Sequence, residues 1–266
     1  MPKVSVIIPC YNQGKYLEDA LTSVYNQTFQ DLEIIIINDG STDDSQEITD
    51  KIEHPKVIKI HQVNKGVVSA RNEGIKRASG EFILPLDADD KIAPTYIEKA
   101  VYHIEKNPNL GIVYCEAELF GEEIKKWDLP PYTLLNMLKA NCIFCTALFR
   151  KKDWEDVGGY KEQQKNFWED YDFWLSLIEM GREVFQIPEV LFYYRQYEET
   201  SRSKETNADA LKTFGNVIKN HPKLYLDNLP LLLQNINNSD KKTKKLFSIT
   251  LPFKAKLKLF IEKEND

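Results

Sequence analysis

Two nearly continuous apolar runs, Val4-Ser5-Val6-Ile7-Ile8-Pro9 and Leu32-Glu33-Ile34-Ile35-Ile36-Ile37, constrain this chain more than any other feature. A strand that is apolar without alternation is covered on both faces, the condition of a parallel sheet. Between them Tyr16, Leu17, Ala20, Leu21, Val24 and Tyr25 recur at helical spacing. The rhythm continues through a short helix near 46–53, a strand over 57–62, a helix over 67–78 and a strand over 81–86 that delivers Asp87-Ala88-Asp89-Asp90. Pro94 then opens a helix through Tyr96, Ile97, Val101 and Ile104. Such β-α-β alternation predicts an α/β fold with a mainly parallel central sheet and helices on both faces.

The second half is less regular. Strands are expected over 110–120, over 143–150 and, as one or two pieces, over 183–195, and short helices near 134–140 and 154–157. A further helix should begin near Phe167 and stop at Gly181, and helical signals run from Asn207 onward. At 266 residues the chain can bury one sizeable core and a small second unit. The expected division is a catalytic domain over 1–200 and a helical C-terminal region over 201–266. Ligands of open α/β sheets sit outside the carboxyl ends of the strands. Pro9, Asp39, Asn64 and Asp87–Asp90 all follow strand ends and should converge on one rim.

Composition removes several classes. No apolar run approaches the roughly 20 residues needed to cross a bilayer, and the N-terminus carries no small-residue cleavage site. Four Cys without regular spacing suggest no disulfide framework, so the expected compartment is the cytoplasm. A net charge of −6 argues against a nucleic-acid partner. The charge is uneven: residues 241–266 hold eight Lys and three acids. Phe253, Leu257, Phe260 and Ile261 share that stretch at helical spacing. A basic amphipathic helix there would suit either a peripheral contact with the inner face of the cell membrane or docking on the acidic body.

No two of the eleven glycines are two positions apart, so the dinucleotide fingerprint is missing, as are the P-loop and the G-x-S-x-G elbow. Four His without H-E-x-x-H argue against catalytic zinc. Cys142-Ile143-Phe144-Cys145 lacks a second pair and reads as core packing. The cluster Asp87, Asp89, Asp90 fits a solvated turn, a Ca²⁺ loop or a divalent site that borrows ligands from a phosphate. The Ca²⁺ loop fails because Ile92 stands where the turn needs Gly. The remaining two stay open on the residues alone.

The opening strand through Pro9-Cys10-Tyr11-Asn12 resembles that of the family 2 glycosyltransferases. So do Asn38-Asp39-Gly40-Ser41-Thr42-Asp43, Asn64-Lys65-Gly66 through Ala70-Arg71-Asn72, and Gly80-Glu81-Phe82-Ile83 leading into Asp87-Ala88-Asp89-Asp90. Val157-Gly158-Gly159-Tyr160 and Glu169-Asp170-Tyr171-Asp172 are similar to two later signatures, so the resemblance covers about residues 3–195 in order. It implies a GT-A fold, a nucleotide-sugar donor, Mn²⁺ or Mg²⁺, and inversion at the anomeric carbon. By that resemblance Pro9 and Tyr11 would flank the base and Asp39 would accept a hydrogen bond from it. Arg71 would lie near the phosphates or order the acidic cluster. Asp87 would contact ribose or sugar, Asp89 would bind the metal, and Asp170 would be the general base. One departure stands out: many relatives carry His where this chain has Tyr197.

The expected activity is sugar transfer, with a UDP-linked donor favoured, to a saccharide or lipid-linked saccharide hydroxyl in polysaccharide or glycolipid synthesis. A single displacement needs one base and no activated Ser or Cys, whereas glycoside hydrolysis needs two carboxylates flanking the bond. Two alternatives remain at this stage. A sugar nucleotidyltransferase usually has a Gly-rich basic loop, and Pro9 to Lys15 holds one Gly and one Lys. A non-catalytic nucleotide-sugar-binding module would bind without turnover.

Overall fold

The computed structural model describes residues 1–161, 168–197 and 206–238. The basic tail and Phe167 lie outside them. In chain order the first half runs β1 (Val4–Cys10), α1 (Gly14–Tyr25), β2 (Leu32–Asp39), α2 (Ser45–Lys51), β3 (Val57–Gln62), α3 (Val67–Arg77), β4 (Phe82–Pro85), β5 (Lys91–Ile92) and α4 (Tyr96–Lys106). There follow β6 (Leu110–Gly121), β7 (Lys125–Lys126), α5 (Leu134–Met137), β8 (Leu148–Arg150), α6 (Lys151–Asp156), α7 (Glu169–Glu179) and β9 (Glu183–Gln196). Three helices end the described chain: α8 (Asn207–Asn220), α9 (Pro222–Asp227) and α10 (Leu229–Asn238).

One sheet joins the strands in the order β3-β2-β1-β4-β8-β6-β9-β5, with β7 paired to β6. The four strands β3, β2, β1 and β4 are parallel, and every residue of β1 and β2 is buried. From β1 the chain steps to β2 and β3 on one side, then returns past them to β4 on the other. Right-handed crossovers therefore place α1 and α2 on one face and α3 on the opposite face. The reversal at β1 makes the β1–β4 boundary the switch point, where ligands of such sheets bind. The second half of the sheet is mixed: β8 runs antiparallel to β4 and β6, while β9 is parallel to β6.

Several elements differ in extent from the sequence expectation. Only Leu148–Arg150 of the stretch 143–150 is a strand. The Ile143 amide donates to Asn141 Oδ1 and the Ala147 amide to the Cys145 carbonyl, so local turns take the bonds a ladder would need. Residues 183–196 form one long strand whose ladder jumps from Ile187 to Val190 across Pro188, which has no amide to donate. The helix expected from Phe167 has its first described turn at Glu169. Gly80 lies beyond Ala78, the C-cap of α3. A Cβ there would meet Ser5 Oγ at 2.6 Å, so its smallness lets the chain pass β1. Phe214, Val217, Tyr225 and Leu232 of the C-terminal helices share one apolar cluster with the sheet.

Candidate functional site

The strand-end loops are laced together at the rim. Asn12, in the left-handed region at φ 55°, accepts the Thr42 amide through Oδ1 at 2.8 Å, and its own amide donates to Ser41 Oγ. The Gly14 amide donates to Ser45 Oγ at 2.7 Å. Tyr11 is exposed just past β1, while Pro9 is buried within it opposite Ile37. Asp39 is buried. Its Oδ1 accepts from Gln62 Nε2 at 2.7 Å and from the Lys65 amide at 2.9 Å, and its Oδ2 accepts the Gly66 amide at 2.8 Å. This carboxylate therefore shapes the 62–66 loop, and Oδ2 retains acceptor capacity.

Arg71 projects from α3 and is buried, forking between two carboxylates. Nη2 donates to Asp87 Oδ1 at 2.7 Å and Nη1 to Glu169 Oε1 at 2.5 Å. Asp87 follows β4, and Glu169 opens α7. One guanidinium thus joins the acidic turn to the helix that carries Asp170. Asp170 is 7% exposed, its Oδ1 accepting the Tyr171 amide at 2.8 Å and its Oδ2 accepting from Asn141 Nδ2 at 3.2 Å. Glu169 and Asp170 turn to different partners, as neighbours about 100° apart on a helix must. Cys145 sits between the two sides, its thiol 3.5 Å from Asp87 Oδ2. Burial and then the negative charge of Asp87 push that thiol well up, with Asp170 contributing in the same direction.

The far side of the acidic turn is held by β9. Arg195 donates from its amide to Asp90 Oδ1 at 2.9 Å and from Nε to the Asp89 carbonyl at 2.8 Å, and its guanidinium lies over Tyr16 and Phe120. The Tyr197 hydroxyl donates to Asp89 Oδ2 at 2.9 Å. Burial, and then the charge of Asp87, raise the Asp89 carboxyl above its ordinary value. Asp90 is fully buried and pushed much further up, by burial and then by Asp89 and Asp87, and its Oδ2 has no hydrogen-bond partner. Crowded, desolvated carboxylates of this kind gain from a cation. Among the described residues no group of three or more His, Cys, Asp or Glu is placed to cage a metal.

Asn72 ties two of the sequence segments together. Its Nδ2 donates to the Tyr160 carbonyl at 2.8 Å, and its Oδ1 accepts the Tyr160 amide at 3.0 Å and Trp154 Nε1 at 3.2 Å. Gly158 and Gly159 make the turn at φ 81° and 80°, where side chains are strained.

The seven residues singled out from the sequence therefore lie along this rim or, for Asp170, on the helix that Arg71 ties to it. Asp87, Arg71 and the start of α7 are in direct contact, whereas Asp39, Pro9 and Tyr11 form a separate strand-end group. Asn72 and Glu169 stand inside the quoted motifs, but their contacts were not expected. Cys145, read as core packing from its C-x-x-C spacing, instead is partly exposed and meets Asp87 Oδ2. Asn141 and Arg195 carry no local pattern that marks their contacts.

The sequence model for glycosyl transferase family 2 matches residues 5–158. The chain belongs to glycosyl transferase family 2. An uncharacterized glycosyltransferase of Haemophilus influenzae is 30% identical over 256 residues, covering 89% of this chain and 78% of that protein. Chondroitin synthase of Escherichia coli is 34% identical over 187 residues, covering 68% of this chain and 27% of the synthase, so the match spans about a quarter of that larger protein. Among solved structures, residues 1–349 of S. aureus TarS in complex with UDP-GlcNAc align at a TM-score of 0.70 and 21% identity, covering 94% of this chain and 71% of that one. A Pyrobaculum calidifontis mannosyltransferase with GDP-Man and Mn²⁺ aligns at 0.60 and 19%, covering 93% and 79%. The fold is GT-A and the family member is a transferase. Among the described residues no helix is long and apolar enough to cross a membrane.

Proposed function

We propose that this glycosyltransferase moves a sugar from a UDP-linked donor to a hydroxyl of a saccharide or lipid-linked saccharide, with inversion and with Mn²⁺ or Mg²⁺. The observation that carries the reading is the Arg71 fork, which sets the Asp87–Asp90 turn against the helix bearing Asp170. TarS was solved with UDP-GlcNAc, which supports a uridine donor.

On this reading Tyr11 and Pro9 flank the base, and the remaining lone pair of Asp39 Oδ2 accepts from it. Asp87, held by Arg71, contacts the ribose or sugar. The donor set suits a hard divalent ion: Asp89, with Asp87 beside it, supplies the one or two carboxylates that Mg²⁺ or Mn²⁺ needs alongside phosphate oxygens. Bound there, such an ion offsets the charge developing on the departing diphosphate. Asp170 takes the proton of the acceptor hydroxyl. The acceptor oxygen forms its bond to the anomeric carbon as the bond to the diphosphate breaks, its electron pair leaving with UDP. The basic segment 241–266 is read as a contact for an anionic membrane surface, where a lipid-linked acceptor would be met.

The test is a panel of UDP-, GDP- and dTDP-sugars with Mn²⁺, scored for release of free nucleoside diphosphate in the presence of saccharide acceptors. Asp170→Asn should lower transfer by about 10²–10⁴-fold, the usual worth of a general base, with UDP binding retained. Transfer near the wild-type rate in Asp170→Asn refutes the base assignment.

A further inference from the structure

The helix that carries Asp170 is fastened to the C-terminal helices by a closed set of charged contacts that the transfer step leaves unused. His221 ends α8 and opens α9, and only 1% of it is exposed. Its Nε2 lies 3.2 Å from Asp172 Oδ1, and its Nδ1 lies 2.9 Å from Glu179 Oε2. Asp172 and Glu179 are seven residues apart, two turns along one face of α7. Asn220 Nδ2 donates to the same Asp172 oxygen at 2.6 Å, and Lys161 Nζ stands 3.3 Å from the other. Burial works against the Asp172 carboxylate, yet the bonds from His221 and Asn220 hold its carboxyl below the ordinary value. The neighbouring residue is fastened too: the Tyr171 hydroxyl donates to the Met137 carbonyl at 2.5 Å, and Phe214 of α8 stacks on its ring.

Asp170 itself is oriented by the Tyr171 amide and by Asn141. Its aim therefore follows the first turn of α7, and that turn is fixed one and two residues further on by Tyr171 and Asp172. We infer that His221 is a positioning residue for transfer: through Asp172 it holds the first turn of α7 so that Asp170 faces the acceptor hydroxyl. The inference rests on the reading of Asp170 as the base. The contact that matters is the one from Nε2 to Asp172. Glu179 is partly exposed and can be solvated without help, whereas Asp172 is buried.

Two substitutions separate these contacts in the full-length chain. The amide nitrogen of Asn reaches the place of Nδ1, and that of Gln reaches the place of Nε2. His221→Asn should lower kcat about tenfold or more, the scale of a small misplacement of a reacting group. The KM for nucleotide-sugar and the Kd for UDP should stay within about twofold, because the donor loops are not touched. His221→Gln, which keeps a donor to Asp172, should recover kcat to within about threefold of wild type by the same logic. Equal kcat in the two variants, or UDP affinity falling in step with kcat, overturns the inference. Asn220→Ala removes only the neighbouring donor to Asp172 and serves if His221→Asn does not fold. It should lower kcat with UDP affinity kept, and unchanged kcat overturns the inference equally. In the Asp170→Asn background, His221→Asn should cost nothing further. The same loss in both backgrounds means that His221 does not act through Asp170. Wild-type transfer in Asp170→Asn alone instead identifies the base assignment as the step that failed.

Discussion

Replacing Arg71 by Met tests whether one guanidinium joins the two halves of the site. Met keeps most of the apolar stem and removes the charge. Asp87 and Glu169 would then face one another with side chains 29% and 16% exposed and no cation between them. Breaking a buried ion pair by removing one partner costs about 3–5 kcal/mol, chiefly from the uncompensated charge left behind. Two considerations place Arg71→Met at the lower end. Water can reach part of Asp87, and Arg71 Nε is itself buried without a partner, so its loss relieves a small penalty. A loss of about 3 kcal/mol lowers Tm by roughly 6–12 °C for a chain of this size. Thermal melting followed by circular dichroism reads this directly. The double variant Arg71→Met/Glu169→Gln should regain part of the loss, because one of the two orphaned charges is gone. A Tm within about 2 °C of wild type would show that neither carboxylate depends on Arg71, and the bridge could not then organise the site.

Asp90→Asn should raise Tm at pH 7.5. The folded state holds the Asp90 carboxyl above its ordinary value, so the neutral form is favoured; its contribution is fully present below about pH 4 and is lost as pH rises through the folded value. The gain over wild type must therefore shrink toward about pH 3, and a gain that grows on acidification contradicts the assignment. Gly159→Ala combines the left-handed backbone with a Cβ 3.0 Å from Asn72 Oδ1 and from the Trp154 ring, whereas Gly158→Ala meets nothing within 4 Å. Urea denaturation should show about 1–2 kcal/mol lost at Gly158 for the backbone alone and a clearly larger loss at Gly159; equal losses refute the steric account. In co-sedimentation with anionic liposomes the full chain should pellet and a chain ending at Asp240 should not. Equal pelleting rules out membrane contact through the tail.

How much of this was legible in the sequence depended on how locally each part is encoded. The β1 and β2 runs announce a covered parallel sheet because every position must be apolar. Once strands alternate with helices, their carboxyl ends define a rim without further information, and Pro9, Asp39, Asn64 and Asp87–Asp90 follow. The mixed second half was harder to read. Asn141 and Cys145 make local turns inside an apolar stretch that by composition alone looks like strand, and β5 and β7 are two residues each. Least legible were the side-chain ties between distant segments. Arg71 meets Glu169 across 98 residues, Tyr197 meets Asp89 across 108 and His221 meets Asp172 across 49. No periodicity marks such pairs.

Those distant ties also explain the division of labour within the acidic segments. Glu169, Asp170 and Asp172 all suit a helix N-terminus, where unsatisfied backbone N–H groups favour carboxylates. Their partners separate them. Glu169 is neutralised by Arg71, and Asp172 is enclosed by His221, Asn220 and Lys161, so neither can take a proton from an outside hydroxyl without breaking an ion pair. Asp170 has its Oδ1 oriented by the Tyr171 amide and its Oδ2 by the neutral Asn141 amide. The same contrast holds in the first acidic turn. Asp90 is buried against the Arg195 amide and Asp87 is bound by Arg71, whereas Asp89 is partly exposed and bonded to a neutral phenol, a contrast that supports the cation role proposed for it. In each cluster the surroundings, and not the residue type, distinguish one acid from the next.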